Sequence, residues 1–219
     1  MTASPTLEGT SATASRPARE SLSAEADWLV VWNPAAGNGS SRAWRRYERE
    51  LQAAGVNPEV VCTAASGDAA RIAFNAVREG RRHLMVAGGD GSAHEVVNGV
   101  MQALVEEPAS DARGTGGARL PPLIVPVPLG TGNDWARTLG LPRDPSRFAA
   151  VVSHGHRIEL HDVGRMRFAA EPAAPRWFVN VAGAGLDADV IASLSPRVPS
   201  RFAYLAHALR RLGRYRAPT

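Results

Sequence analysis

Three apolar runs of this chain each end in a glycine-rich turn, and each turn leads into a segment that reads as a helix. The runs are 27–32, 83–86 and 123–128, and the turns that follow them are 33–41, 88–92 and 129–133. A short apolar run bounded by turn residues is typical of a buried strand. Strands that alternate with helices predict a parallel, doubly wound sheet with right-handed crossovers. In such a sheet all three turns meet beyond the carboxyl ends of the strands, where ligands bind.

The remaining patterns divide the chain into three parts. Residues 1–26 are rich in Ser, Thr, Ala and Pro without apolar periodicity, so we expect a disordered leader. Residues 27–153 carry the alternation of strands and helices and form the predicted α/β domain. From 154 onward two strand runs, 157–164 and 176–181, are separated by a Pro-rich segment at 171–175. This pattern favours antiparallel pairing in a β-rich second domain over 154–219.

Composition excludes several classes of chemistry. The chain has 25 arginines and no lysine. This excludes a Walker A loop and lysine Schiff-base chemistry, because both need a lysine. A single cysteine, Cys62, excludes an intrachain disulfide framework and fits the reducing cytoplasm. No apolar run approaches about 18 residues, so we expect no membrane-spanning helix. The six histidines show no metal-ligand spacing, and the chain lacks the patterns of nucleic-acid binders.

The second turn has the residues of an anion site. Gly88, Gly89 and Gly91 let the backbone come close to a ligand, and the free N–H groups of the following helix point toward negative charge. Asp90 would repel a phosphate unless a cation lay between them, which suggests Mg²⁺. The alternative is an ordinary tight turn in which Asp90 caps the helix.

Three motifs in this order resemble the diacylglycerol kinase catalytic-domain family, which also includes bacterial lipid kinases and sphingosine kinases. They are Asn33-Pro34-Ala35-Ala36-Gly37, Gly88-Gly89-Asp90-Gly91-Ser92 and Leu129-Gly130-Thr131-Gly132-Asn133-Asp134-Trp135-Ala136-Arg137. The resemblance implies the fold shared by NAD kinases and diacylglycerol kinases, in which a parallel-sheet domain precedes an antiparallel β-sandwich. It implies ATP-dependent transfer of the γ-phosphoryl group to a lipid hydroxyl at a membrane surface, with Mg²⁺ as cofactor.

The same resemblance assigns site residues by position. The nucleotide-binding set is Asn33, Pro34, Ala35, Ala36, Gly37, Thr63, Gly88, Gly89, Asp90, Gly91, Ser92, Ala93, His94, Thr131 and Asn133. Asp90 and Asp134 match catalytic acids, and Asp162 matches an acid of the magnesium and water network. The chain departs from the usual pattern at Ser92, where threonine is common, at His94, where asparagine is common, and at Ala36, where serine is common.

The end of the chain departs further from the family. No Asp-Gly-Glu segment follows Asp162, and no acid follows Asp189, so we expect a truncated second domain whose general base lies beyond Thr219. Uncovered strand edges would then favour association with another chain, for example as a homodimer. Apolar residues at helical spacing over 202–212 lie among arginines, which fits either a helix packed on the second domain or a helix facing anionic lipid. A catalytically silent nucleotide-binding protein and a kinase of a small polar substrate remain alternative functions.

Overall fold

The computed structural model describes residues 26–36, 40–106, 121–154, 158–168 and 171–183, together with 188, 190, 209, 210 and 212. The chain divides into two compact units, Thr6–Val179 and Asn180–Thr219, and the second unit also includes Met1–Pro5. The helices and strands whose bounds follow all belong to the first unit. In the part of the chain so described, no helix is both long enough and apolar enough to span a membrane.

Strands and helices alternate along the first unit. In chain order they are β1 (Trp28–Trp32), α1 (Ser40–Ala53), β2 (Glu59–Cys62), α2 (Asp68–Arg78), β3 (His83–Gly88), α3 (Asp90–Glu106), β4 (Leu123–Pro128), α4 (Asp134–Thr138), α5 (Pro145–His154), β5 (Gly164–Phe168) and β6 (Glu171–Phe178). Strands β1 to β4 form one parallel sheet in the order β2-β1-β3-β4. The predicted parallel α/β fold is confirmed.

Both faces of this sheet are buried, which explains why its strands read as continuous apolar runs. Alternate residues of a strand point to opposite faces. Leu29 and Val31 of β1 pack in one core cluster with apolar residues of α2 and α3. Trp28 and Val30 pack in the other cluster with α1 and α5. Helices therefore cover the sheet on both sides, as in a doubly wound fold.

The strand order places a crevice at one edge of the sheet. From β1 the chain runs outward to β2 and then crosses back to β3 on the other side of β1. The helices that follow β1 and β3 pack on opposite faces of the sheet. The loops that leave the two strand ends therefore diverge and open a gap between them. Ligands of open α/β sheets bind at such a reversal.

The predicted antiparallel pair is present, but its predicted bounds are wrong. Strand β5 begins at Gly164, whereas 158–163 is not strand, and β6 begins at Glu171, so the Pro-rich segment read as a connection is itself strand. Proline lacks an N–H donor, and a strand with an open side tolerates it. In the sheet formed by the described residues β6 pairs only with β5, so Pro172 and Pro175 interrupt no central ladder.

Three predictions fall wholly or largely on residues outside those described. The leader 1–26 is described only at Ala26, and Gly37 of the first turn is not described. Of the proposed C-terminal helix, only 209, 210 and 212 are described, all three helical. The domain boundary at 153/154 stays a prediction, although the hairpin β5–β6 belongs to the same compact unit as the parallel sheet.

Tyr47 ties α1 to the segment before α5, and it carries a pH-dependent part of the stability. Its hydroxyl donates a 2.7 Å hydrogen bond to the carbonyl oxygen of Arg143, and its ring meets Phe148 edge-on. Burial raises the pKa of Tyr47 to about 12 from 10.0, because the phenolate would lose its water. Its contribution to stability is therefore complete below pH 10 and is lost as the pH rises toward about 12.

We expect the free energy of unfolding to fall with pH across this window, and to fall less in Tyr47→Phe. Both proteins lack lysine and keep the same two other tyrosines, so the difference between the two slopes reports Tyr47. Urea denaturation at several pH values from below 10 to about 12 measures it. Equal slopes in the two proteins would contradict the assignment.

Candidate functional site

An open cleft of about 590 Å³ lies at the carboxyl ends of the parallel strands. The loops after β1, β2, β3 and β4 all contribute to its walls. The lining residues are 33–36, 63–66, Ala69, Gly89, Gly91, Ser92, Glu95, Gly130 and Thr131. The structure thus brings the three glycine turns together around one space. It adds the loop after β2, which the position of Thr63 had indicated.

Asn33 joins the first loop to the start of α3. Its Oδ1 accepts a 2.9 Å hydrogen bond from the N–H of Ala35, which folds the loop back on itself, and its Nδ2 donates a 3.0 Å bond to Ser92 Oγ. Ser92 is buried, and a Cβ on Gly88 would lie 2.5 Å from its hydroxyl oxygen. Only glycine therefore fits at the end of β3 while this hydroxyl stays in place.

The loops after β3 and β4 touch through their backbones. A Cβ on Gly130 would overlap Gly89 Cα, so neither loop has room for a side chain at the contact. Asn133 holds the second loop in this position: its Oδ1 accepts 2.8 Å from the N–H of Gly130, and its Nδ2 donates 2.6 Å to the Gly130 carbonyl. Asn133 is buried and has a φ of 53°, in the left-handed region. Its amide positions the loop and does not line the cleft.

Asp90 begins α3 and also caps α4. Its Oδ1 accepts a 2.6 Å hydrogen bond from the N–H of Asp134, so the carboxylate satisfies a free donor at the start of a second helix. Its Oδ2 faces Gly132, where a Cβ would lie 2.5 Å from that oxygen and 3.7 Å from Asp134 Oδ1. The two acids thus flank Gly132, and Asp134 also forms an ion pair with Arg137.

These two carboxylates suit a hydrated Mg²⁺. Magnesium is usually held by one or two carboxylates, with water and substrate phosphate completing its shell. Among the residues described here, no group of three or more His, Cys, Asp and Glu is placed to hold a metal ion. Asp162 is exposed and precedes β5; its part in a metal network stays a prediction, as does that of Asp90 and Asp134.

Glu95 lies in the cleft and was not singled out from the sequence. Its Oε2 accepts a 3.2 Å hydrogen bond from the N–H of Ala69 in the first turn of α2, and Ser66 Oγ donates to its Oε1 at 3.3 Å. Gly67 precedes α2 and offers no side chain as a cap, so a residue 26 positions away along the chain takes that role. In the sequence, only its position one helical turn after Gly91 indicated that Glu95 could lie near the site.

A second acid, Asp68 at the start of α2, binds the loop after β2. Asp68 accepts hydrogen bonds from the N–H groups of Ala64 and Ala65 at 2.8 and 2.9 Å. The bond from Ala64, followed by that from Arg71, holds the pKa of Asp68 below its ordinary value. An ionised Asp68 therefore fixes the loop that carries Thr63 against the start of α2.

Some predicted nucleotide contacts lie outside the cleft walls. Ala93 is buried in the core beneath α3, and His94 is exposed on that helix. Gly88, Asp90 and Asn133 lie next to the cleft without lining it. The predicted residues that do line it are Asn33, Pro34, Ala35, Ala36, Thr63, Gly89, Gly91, Ser92 and Thr131. Nucleotide contact by any member of the predicted set stays a prediction.

Known proteins resemble this chain over the same region. Diacylglycerol kinases of Staphylococcus carnosus (strain TM300) and Staphylococcus aureus (strain MRSA252) are 31% and 30% identical to it over 157 and 163 residues. Each match covers 71% of this chain and 44% or 42% of the relative. A crystal structure of a diacylglycerol kinase from Bacillus anthracis str. Sterne is 25% identical, with a TM-score of 0.47, over 59% of this chain and 42% of that one.

The chain thus spans less than half the length of these relatives. The sequence model of the diacylglycerol kinase catalytic domain matches residues 27–166, which hold the parallel sheet, its helices and all the loops of the cleft. That match takes in more than half of the chain, and the chain therefore belongs to the diacylglycerol kinase catalytic-domain family.

Proposed function

We propose that this chain binds ATP in the cleft and takes part in transfer of the γ-phosphoryl group to the hydroxyl of diacylglycerol or a related lipid. The chain belongs to a lipid kinase family, whose reaction class is phosphoryl transfer. The observation that supports ATP as donor is the convergence of four strand-end loops, three of them rich in glycine, on one cleft beside the start of α3. The reaction would take place at the cytoplasmic surface of a membrane, where such a lipid lies.

The chain's own groups suit the binding of a polyphosphate. The first turn of α3 has N–H groups without helical partners, and the helix dipole adds a partial positive charge there. Gly91 leaves the backbone of that turn open, with nothing within 4 Å of where a Cβ would be. Thr63 and Thr131 line the same cleft and offer hydroxyl groups. In this proposal backbone amides and hydroxyl groups of the cleft take the place that a lysine has in other phosphate sites.

The reaction itself asks little covalent chemistry of the protein. The acceptor oxygen bonds to the γ-phosphorus as the bond to the β–γ bridging oxygen breaks. ADP leaves, and a general base takes the proton of the acceptor hydroxyl. Catalysis of such a transfer is mainly positioning and neutralisation of charge. A Mg²⁺ held by Asp90 and Asp134 would neutralise phosphate charge. The Asn33–Ser92 and Gly130–Asn133 hydrogen bonds hold the loops in the positions from which they would contact the nucleotide.

Calorimetric titration of the chain with ATP and Mg²⁺ tests the first half of this proposal. Binding in the micromolar to millimolar range is expected, and its absence would contradict ATP as ligand. The second half is tested by following ATP consumption with diacylglycerol vesicles, beside NAD and sugar phosphates as alternative acceptors. Faster turnover on NAD or a sugar phosphate than on the vesicles would contradict a lipid substrate.

Gly91→Ala separates binding from folding. The new methyl group would meet no atom of the chain but would keep a phosphate away from the first turn of α3. The loss of one hydrogen bond to a charged group corresponds to at least about tenfold weaker ATP binding. Stability should hold or rise by up to about 1 kcal/mol, since alanine favours a helix more than glycine does.

The control for this variant is Gln52→Ala, an exposed position on α1 on the other face of the sheet. It should leave ATP affinity unchanged. If Gly91→Ala binds ATP as tightly as the unmodified chain, the phosphates do not lie against this turn.

A further inference from the structure

Asn98, near the middle of α3, makes two hydrogen bonds to the backbone of a single distant residue. The N–H of Trp177 donates to Asn98 Oδ1 at 2.9 Å, and Asn98 Nδ2 donates to the carbonyl oxygen of Trp177 at 2.9 Å. The two residues are 79 positions apart in the chain. A third bond, from Nδ2 to the carbonyl oxygen of His94 at 2.8 Å, fixes the rotamer from within the helix. Three of the four hydrogen-bonding positions of the amide are thus used.

The amide takes the place of a neighbouring strand. In an antiparallel pair the N–H and C=O of one residue point to the same side. Both groups of Trp177 bind Asn98, so both point away from β5, toward the open side of β6. A side-chain amide carries one donor and one acceptor in the spacing of a peptide group. Asn98 therefore covers this part of the strand edge and attaches the hairpin β5–β6 to α3.

Further contacts surround this attachment. The ring of Trp177 is buried in the core cluster that contains residues of α2 and α3, and the guanidinium of Arg165, its partner on β5, lies 5.6 Å from the ring centroid. Gly99, the next residue of α3, packs directly against the backbone of Ala70 in α2. The hairpin and α2 are therefore held by adjacent positions of one helix.

That helix also carries the cleft residues Gly91, Ser92 and Glu95. Asn98 lies seven residues after Gly91, about 10 Å along the helix axis. Rigid secondary elements can carry a displacement from one site to another, so α3 offers a direct connection from the cleft to Asn98. The other end of the hairpin leads back to Asp162, two residues before β5, which is the acid of the predicted magnesium network.

We propose that Asn98 is a positioning residue that couples nucleotide binding at the start of α3 to the attachment of the hairpin β5–β6. The coupling rests on the proposed function, because it needs a nucleotide in the cleft. Bound ATP holds the start of α3, the helix holds Asn98, and the amide holds the strand whose hairpin sets the position of Asp162. By linkage, an attached hairpin also favours the nucleotide-binding position of the helix.

Amide hydrogen exchange of Trp177, measured by NMR with and without saturating ATP and Mg²⁺, tests this. In the unmodified chain ATP should slow exchange at Trp177 several-fold. In Asn98→Ala, exchange without ATP should be at least about tenfold faster, as expected for two lost hydrogen bonds, and ATP should no longer slow it. The ATP affinity of this variant should also fall. Because coupling is reciprocal, the loss of affinity cannot exceed the factor by which ATP slows Trp177 exchange in the unmodified chain.

Two further variants complete the test. Gln102→Ala lies one turn further along α3, where the side chain binds only Glu106 of the same helix among the described contacts, and should behave as the unmodified chain does. Asn98→Asp keeps the acceptor for the Trp177 N–H and loses the donor, so it serves if the alanine variant does not fold. It should give an intermediate response to ATP.

The outcomes separate the two proposals. Failure of the unmodified chain to bind ATP overturns the proposed function and the coupling together. Normal ATP binding without any change in Trp177 exchange overturns the coupling alone. A purely structural role for Asn98 would speed exchange in Asn98→Ala but leave its ATP affinity and the slowing by ATP unchanged, and that result also overturns the coupling.

Discussion

Replacing Asp90 with asparagine is expected to reduce phosphoryl transfer by at least about 100-fold, the scale of losing one electrostatic contact to the reacting group. Asparagine keeps an oxygen that can accept the 2.6 Å bond from the N–H of Asp134, so the cap of α4 and the fold should persist. What disappears is the negative charge beside Gly132 that a Mg²⁺ would need. Steady-state ATP consumption with lipid vesicles, and the Mg²⁺ dependence of ATP binding, measure the change.

Asp144→Asn is the matched control for this substitution. Asp144 also caps a helix, since its Oδ1 accepts 3.0 Å from the N–H of Arg147 at the start of α5, but it lies on no wall of the cleft. It should lower stability slightly and leave turnover and Mg²⁺ dependence unchanged. Full turnover and unchanged Mg²⁺ dependence in Asp90→Asn would exclude Asp90 from the metal network and leave it as a helix cap alone.

Gly99→Ala is expected to lower the free energy of unfolding by about 3 kcal/mol, the upper end for overpacking of a core. A Cβ at this position would overlap the backbone oxygen of Ala70, and backbone cannot rotate away as a side chain can. Helices α2 and α3 would have to separate, although both are packed into the same core cluster. Urea denaturation measures the loss.

The control is again on α3, because Gly91→Ala makes the same chemical change where the added methyl group meets nothing. The two variants together separate helix propensity, which favours alanine at both positions, from the contact between helices. A loss below about 1 kcal/mol in Gly99→Ala would show that the two helices tolerate greater separation. ATP binding should weaken in Gly99→Ala as well, because α3 carries part of the cleft.

The parallel sheet and its cleft were predictable because their signals are local. Apolar runs marked β1, β3 and β4, and each glycine turn stood directly beside the strand whose end it follows. The start of α3 was less clear. Its apolar spacing begins at Val96, whereas the helix begins at Asp90, and this earlier start turns Ala93 toward the core and leaves His94 exposed.

What the sequence could not indicate depends on contacts between distant residues. Glu95 caps a helix from 26 positions away, and Asn98 meets Trp177 from 79 positions away. No local pattern marks either pairing. Nucleotide contact by Asn133 stays a prediction, but the hold of its side chain on Gly130 was not predicted. Nor did the sequence indicate its left-handed φ, apart from the glycines around it. The bounds of β6 were missed because proline reads as a strand breaker when the open side of the strand is unknown.

In the parallel sheet that the described residues form, β4 lies at one end, and this position bears on self-association. The N–H of Leu123 donates to the carbonyl oxygen of Arg82, just before β3, and the N–H of Leu129 donates to that of Gly88 at the end of β3. Because backbone groups alternate along a strand, the N–H positions of residues 124, 126 and 128 point to the other side, away from β3. Two of those three are Pro126 and Pro128. A strand from another molecule approaching this edge would find the N–H of Ile124 as its one donor, which protects the edge against the pairing that begins aggregation.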